Sequence, residues 1–213
     1  MTAPLVLSPH PAPESDDSAK RRQIVEGART VFLAHGFDAA SMGEIAKSAG
    51  VSKGTLYVYF KDKDELFKAI VEKECVFQAE GIFDFDMAGS DVAGNLTRVG
   101  VAFVQTLCAP SRQSPMRAVI AIADRMPNIG RTFYETGPAV GIAKMRGYLE
   151  AQVTAGRLVI PDCEIAAAQL IESFHATLFK PVLFNFASPP TRERVAYVVS
   201  IAVKTFMAAY GKK

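Results

Sequence analysis

Ser41–Lys63 reads SMGEIAKSAGVSKGTLYVYFKDK, and this stretch decides the fold. Ser41 can cap a helix, because its hydroxyl accepts an otherwise unpaired backbone N–H. Glu44 follows three residues later, the spacing of a capping box. Ile45, Ala46 and Ala49 then form a short apolar stripe of helical period. Gly50 supplies the backbone freedom of a sharp turn. Ser52 recaps the chain, and Lys53–Gly54–Thr55 opens a second short helix. Leu56 and Phe60 lie four apart and share its buried face, which leaves Lys53, Thr55 and Tyr57 to point elsewhere.

Two short helices joined by a glycine turn make a helix-turn-helix, whose second helix fits the major groove of DNA. Lys53 suits a phosphate or a guanine edge. Thr55 offers both a hydroxyl and a methyl. Tyr57 and Lys63 suit phosphate oxygens, and Gly54 permits close approach of the backbone. The predicted groove contacts are Lys53, Gly54 and Thr55. Ser41, Ser52, Tyr57, Tyr59 and Lys63 are predicted to touch the DNA backbone or to position those that do. A helical hairpin with a Gly turn also occurs in proteins that never meet DNA, and there Thr55 and Tyr57 would be ordinary surface residues.

The residues from about Arg22 to Leu66 resemble the DNA-binding domain of the TetR/AcrR-type transcriptional regulators. The likeness runs through Ala28 and Phe32, Gly36–Phe37, Ile45–Ala46, Ala49–Tyr57, Phe60–Lys61 and Lys63. It departs at Val58, where the family often has an aromatic or longer polar residue. The resemblance implies a three-helix domain that binds operator DNA, and a larger helical domain that binds an effector and dimerises.

The 213 residues are 49% hydrophobic and 22% charged, enough apolar content for a substantial core. A net charge of +2 does not by itself imply nucleic acid; the local grouping of Lys53, Lys61 and Lys63 does more. Cys75, Cys108 and Cys163 are odd in number and form no CxxC unit. They read as reduced thiols of a cytoplasmic protein, with neither metal nor cofactor expected. Met1–Pro13 lacks a basic segment followed by a long apolar run, so no signal peptide is expected, and no apolar run would span a bilayer.

The rest reads as helices, so the predicted class is all-α. Residues 1–18 are expected to form a flexible tail, 19–66 the helix-turn-helix domain, and 67–213 the effector-binding and dimerisation domain. The first helix should run from Ala19 to His35 and end at Gly36, and a fourth from Asp62 to Gly81 should join the domains. Later helices are expected over 91–108, 115–125, 139–155, 162–186 with a kink near Pro181, and 191–210, with another carrying Ile129, Phe133 and Tyr134. Phe83, Phe85 and Met87 would pack locally or cover an opening. The last helix is apolar over much of its surface. Either it is buried centrally or it pairs with a second copy. On the second reading the two-fold contact comprises Ile165, Leu170, Phe174, Leu178, Val195, Val199, Val203 and Phe206. Candidate effector-lining residues are Phe103, Leu107, Ile122, Met126, Phe133, Tyr134, Met145, Leu149, Phe174 and His175, suited to a small, mostly apolar molecule. The segment Phe133–Pro138 and the helix after it are also similar to the effector domain of one subset of these regulators.

Paired histidines, a nucleophile elbow and a phosphate loop are all missing from the sequence, which argues against an enzyme. The predicted function is a ligand-responsive repressor that binds a palindromic operator as a homodimer. The alternative is a dimeric helical binding protein without a role on DNA.

Overall fold

The computed structural model describes residues 16–212, and the side chains of all of these except 16, 74–80, 112 and 114. Among the described residues there are eleven helices and no strand; the only extended pairing is the isolated bridge Leu158–Gly211. The chain divides into two compact units between Leu66 and Phe67.

The first unit contains α1 (Asp16–Ala39), α2 (Met42–Ser48), α3 (Lys53–Tyr59) and the start of α4 (Lys63–Ile82). Most of the expected tail lies outside the described residues, but Asp16–Ser18 are already helical. α1 breaks at Gly36, whose φ of 76° is left-handed. Phe37 then turns back and stacks on Phe32 at 5.6 Å. Ile24, Ala28, Ile45, Leu56, Phe60 and Leu66 close the core between the helices. α1 and α2 approach closely where Gly27 faces Ala49: a Cβ built on Gly27 would lie 2.6 Å from the Ala49 backbone.

The second unit contains the remainder of α4, then α5 (Val92–Leu107), α6 (Pro110–Ile122), α7 (Pro127–Thr136), α8 (Pro138–Thr154), α9 (Cys163–Phe174), α10 (Phe179–Leu183) and α11 (Arg192–Tyr210). Its core lies among α5, α8, α9 and α11 and includes Leu96, Val99, Met145, Tyr148, Leu149, Leu170, Phe174, Val195 and Val199. Gly100 lets α5 approach its neighbours, since a Cβ there would stand 2.9 Å from both Phe174 and Val199. Phe83 and Phe85 pack locally: Phe83 covers Gly141, and Phe85 stacks on Tyr148 at 4.4 Å. Met87 is exposed. The last residues are held by Val159 N–H donating to the Tyr210 carbonyl at 2.8 Å.

Two helix boundaries differ from expectation. α6 begins at Pro110 rather than Pro115, because proline at the first helical position lacks only an N–H that would be unpaired anyway. Pro115 is accommodated inside, with the loss of one intrahelical bond. The helix expected over 162–186 is two helices, interrupted at His175–Leu178 rather than bent at Pro181. A proline clashes with the carbonyl four residues before it, here Thr177, so the chain stops a turn earlier and restarts with Pro181 in the first turn of α10.

Gly27→Ala and Gly147→Ala separate packing from propensity. Both gain helix propensity of up to about 1 kcal/mol. At Gly27 the methyl meets backbone, an overpacking strain of about 1–3 kcal/mol; at Gly147 nothing lies within 4 Å. Denaturant unfolding followed by circular dichroism is expected to show a loss of stability for the first variant and a gain for the second.

Candidate nucleic-acid interface

α2 and α3 have seven residues each, too short to be stable alone. Their starts are held by serine caps. Ser41 Oγ accepts from Glu44 N–H at 3.3 Å, and the Glu44 carboxylate accepts from Ser41 N–H at 3.0 Å, completing the capping box. The Ser41 hydroxyl also donates to that carboxylate at 2.7 Å, and this bond first, then that from Ser41 N–H, holds the Glu44 carboxyl below its ordinary value of 4.5. Ser52 Oγ accepts from Thr55 N–H at 3.0 Å and lies 2.8 Å from Thr55 Oγ1. Gly50, at φ 64°, makes the turn between the two helices.

The buried side of α3 is Leu56, continued by Phe60. The other side carries Lys53, Gly54, Tyr57 and Val58, all exposed. Tyr57 is 53% and Val58 81% accessible. Thr55 and Tyr59 are half-buried. The Lys53 side chain lies over Gly43, where an added Cβ would be 3.1 Å from its Cε. Lys47 and Lys61 are exposed as well.

Lys63, predicted to touch the DNA backbone or to position residues that do, lies against the segment 37–40 that precedes α2. Its ammonium donates to the carbonyls of Phe37 at 2.9 Å, Asp38 at 3.1 Å and Ala40 at 3.4 Å, and it lies 4.6 Å from the centre of the Phe37 ring. Two further fasteners carry no periodic signal in the sequence. Gln23 donates to the Ala49 carbonyl at 2.6 Å, beside the Gly50 turn. Arg21 lies over the Phe60 ring at 4.9 Å. Each joins residues 26 or more apart along the chain, so only the folded backbone brings them together.

In the second unit the ten effector candidates divide. Met145, Leu149 and Phe174 are fully buried in the core, and Ile122 is buried too. Tyr134 faces solvent, because the buried side of α7 is Ile129 and Thr132. Leu107, Met126 and Phe133 are half-buried. Phe103 and His175 do meet, at 6.0 Å between rings, in an aromatic run that adds Phe83 and Phe179. Burial depresses the His175 pKa below 6.5, against the opposing pull of Glu172.

The eight proposed dimer residues are mostly interior. Leu170, Phe174, Leu178, Val195, Val199, Val203 and Phe206 are buried within the single chain, where α9 and α11 pack on α5. A helix turned inward by these residues presents the residues between them outward. Ile165, Tyr197 and Ile201 are exposed, and a groove of about 510 Å³ runs between α9 and α11, past Gln169, Ser173, Tyr197 and Ile201.

Residues 24–70 match the model of the family described as bacterial regulatory proteins, tetR family, and residues 94–212 match that of the AefR-like transcriptional repressor C-terminal domain. The chain belongs to the TetR family. Its members are transcription regulators, not enzymes. A TetR-family transcriptional regulator from Mesorhizobium loti is 27% identical, with a TM-score of 0.87 over 93% of this chain and 100% of that one. The flavonoid-responsive regulator FrrA is also 27% identical, with a TM-score of 0.78 over 92% of this chain and 99% of that one. The HTH-type transcriptional repressor Rv1474c of Mycobacterium tuberculosis is 39% identical over 57 residues, 27% of this chain and 30% of that protein. The chain thus spans about a third of the length of the curated relatives it matches. No helix among the described residues is long and apolar enough to cross a membrane.

The capping box makes α2 sensitive to acid. A carboxyl whose folded pKa is depressed contributes stability above its unfolded value, and that contribution is lost as pH falls from 4.5 through the lower folded value. Glu44→Gln is expected to remove this part of the acid response, read from amide exchange at residues 41–46 between pH 5 and about 3.

Proposed function

We propose that this TetR-family chain is a ligand-responsive repressor that reads a palindromic operator as a homodimer. The observation that carries the reading is the outward side of α3: its apolar side is fully engaged, its start is capped, and Lys53, Gly54 and Tyr57 stand free of the core. Ser52 and Thr55 pair their hydroxyls, which leaves the Thr55 methyl for a thymine methyl in the major groove. Tyr57 reaches phosphate. Lys47, Lys53 and Lys61 supply the salt-dependent attraction.

One short helix reads few bases, so two are needed, about one DNA turn apart. The outward faces of α9 and α11 support pairing by a two-fold contact. There Ile165, Tyr197 and Ile201 expose apolar surface that a second copy would cover.

The effector is a small, mostly apolar molecule with an aromatic ring. The run Phe83–Phe103–His175–Phe179 supports this reading, and so does the similarity to a regulator described as flavonoid-responsive. Release from DNA requires only that the ligand bind the DNA-incompetent state more tightly. α4 is one helix across the division of the units, which makes it the lever between them.

Selection of bound duplexes from a random pool is expected to return two symmetric half-sites; a protein that ignores duplex DNA at low salt overturns the reading. Thr55→Ser keeps the hydroxyl and removes the methyl. It is expected to weaken discrimination at one T·A pair by about fivefold, whereas Tyr57→Phe weakens all sequences alike. Flavonoids are expected to raise the melting temperature of the wild type and to do so far less in Phe103→Ala.

A further inference from the structure

We propose that Phe184 and Phe186 form a prong that each copy of this chain seats in the groove between α9 and α11 of a second copy. The proposal rests on the homodimer reading above and adds a contact that the reading does not name.

Phe184 is 76% and Phe186 87% accessible. Exposed apolar side chains scattered singly are ordinary. These two stand two residues apart on backbone that is fixed from several directions. Phe184 N–H donates to the Lys180 carbonyl at 3.0 Å, and the N–H groups of Phe186 and Ala187 both donate to the Pro181 carbonyl, at 2.9 and 3.1 Å. Asn185, between the rings, takes a left-handed φ of 56°, which a short amide side chain tolerates. Arg117 of α6 closes the end of α10. Its guanidinium donates to the carbonyls of Leu183 at 2.7 Å and Val182 at 3.0 Å, and to Asn185 Oδ1 at 2.8 Å. The backbone that carries the rings is therefore set before anything covers them, which lowers the ordering cost of covering them.

Position and area single out a second copy as the occupant. Thr177, just past α9, and Arg194, in the first turn of α11, both line the groove of about 510 Å³. The segment between them carries the prong, which therefore stands at the rim of its own chain's groove. Neither Phe184 nor Phe186 is among the described residues that line it. A partner's prong would meet Ala176, Val198 and Ile201 there. In a two-fold pair each copy gives one prong and receives one, so the contact closes at two chains and makes no filament. Four such rings bury on the order of 600 Å², more than a third of the roughly 1,600 Å² of a standard stable interface.

The test uses the full chain, with association read by sedimentation over a dilution series. The double variant Phe184→Ser, Phe186→Ser changes only surface side chains. It is expected to keep the wild-type circular dichroism and to weaken the dimer by about a hundredfold. A second measurement identifies the occupant directly. A chain carrying the photo-cross-linker benzoylphenylalanine in place of Phe186 is mixed with isotope-labelled wild type and irradiated. The prong is expected to join labelled peptides from 169–177 or 194–210, the two stretches that line the groove. Cross-links confined to the prong's own chain, or to another surface of the labelled chain, overturn the proposal. So does a wild-type dimer whose double variant associates equally well, and in that case the homodimer reading stands. A wild type that sediments as a monomer at every concentration sinks the homodimer reading itself, and the prong with it.

Discussion

Seven-residue helices do not persist on their own hydrogen bonds, since nucleating one fixes several dihedral angles before a single bond is closed. The helix-turn-helix of this protein consists of two such helices. Everything it presents to a partner depends on how their first turns are satisfied and how tightly they lie on α1. Ser41 with Glu44 and Ser52 with Thr55 satisfy the first-turn amides. The absence of a side chain at Gly27 lets Ala49 come down onto α1, and Gln23, one turn earlier on the same helix, then holds the Ala49 carbonyl. Remove the caps and the helices fray; widen the approach and the apolar residues Ile45 and Leu56 no longer meet the core.

The second unit meets a different constraint. α11 has apolar residues on more than one side, and a single chain buries only one of them. Gly100 allows α5 to press against Phe174 and Val199, so Val195, Val199, Val203 and Phe206 become interior. What remains outside, with Tyr197 and Ile201, is a continuous face with α9. An exposed apolar side and an internally packed side thus alternate around the same two helices. A list of apolar positions cannot tell them apart, because both faces are apolar and the helical period assigns either one to the core.

The cations of the first unit show the same division of labour. Lys47, Lys53 and Lys61 are exposed, while Arg21 lies on an aromatic ring and Lys63 on three carbonyls. Formal charge is identical in each case. Only the geometry separates an exposed cation from one already engaged by the fold. The same holds for the rings in the second unit: Phe103 and His175 meet Phe83 and Phe179, whereas Tyr134, close to Phe133 in sequence, faces water.

By itself the sequence determined the local features whose physics is short-range. Serine before a helical stripe, Glu44 three residues on, glycine at a left-handed turn and Leu56 four before Phe60 each act within one or two turns, so they were legible without coordinates. The two short helices and the turn between them follow from these features, and the all-helical class from the helical periods of the rest of the chain. Tertiary structure alone decided which side of α9 and α11 is interior and what Lys63 holds. Those outcomes depend on partners 20 or more residues away, and on the space left where Gly27 and Gly100 have no side chain. A periodic pattern carries no information about such distances, and they emerge only when the helices are packed together.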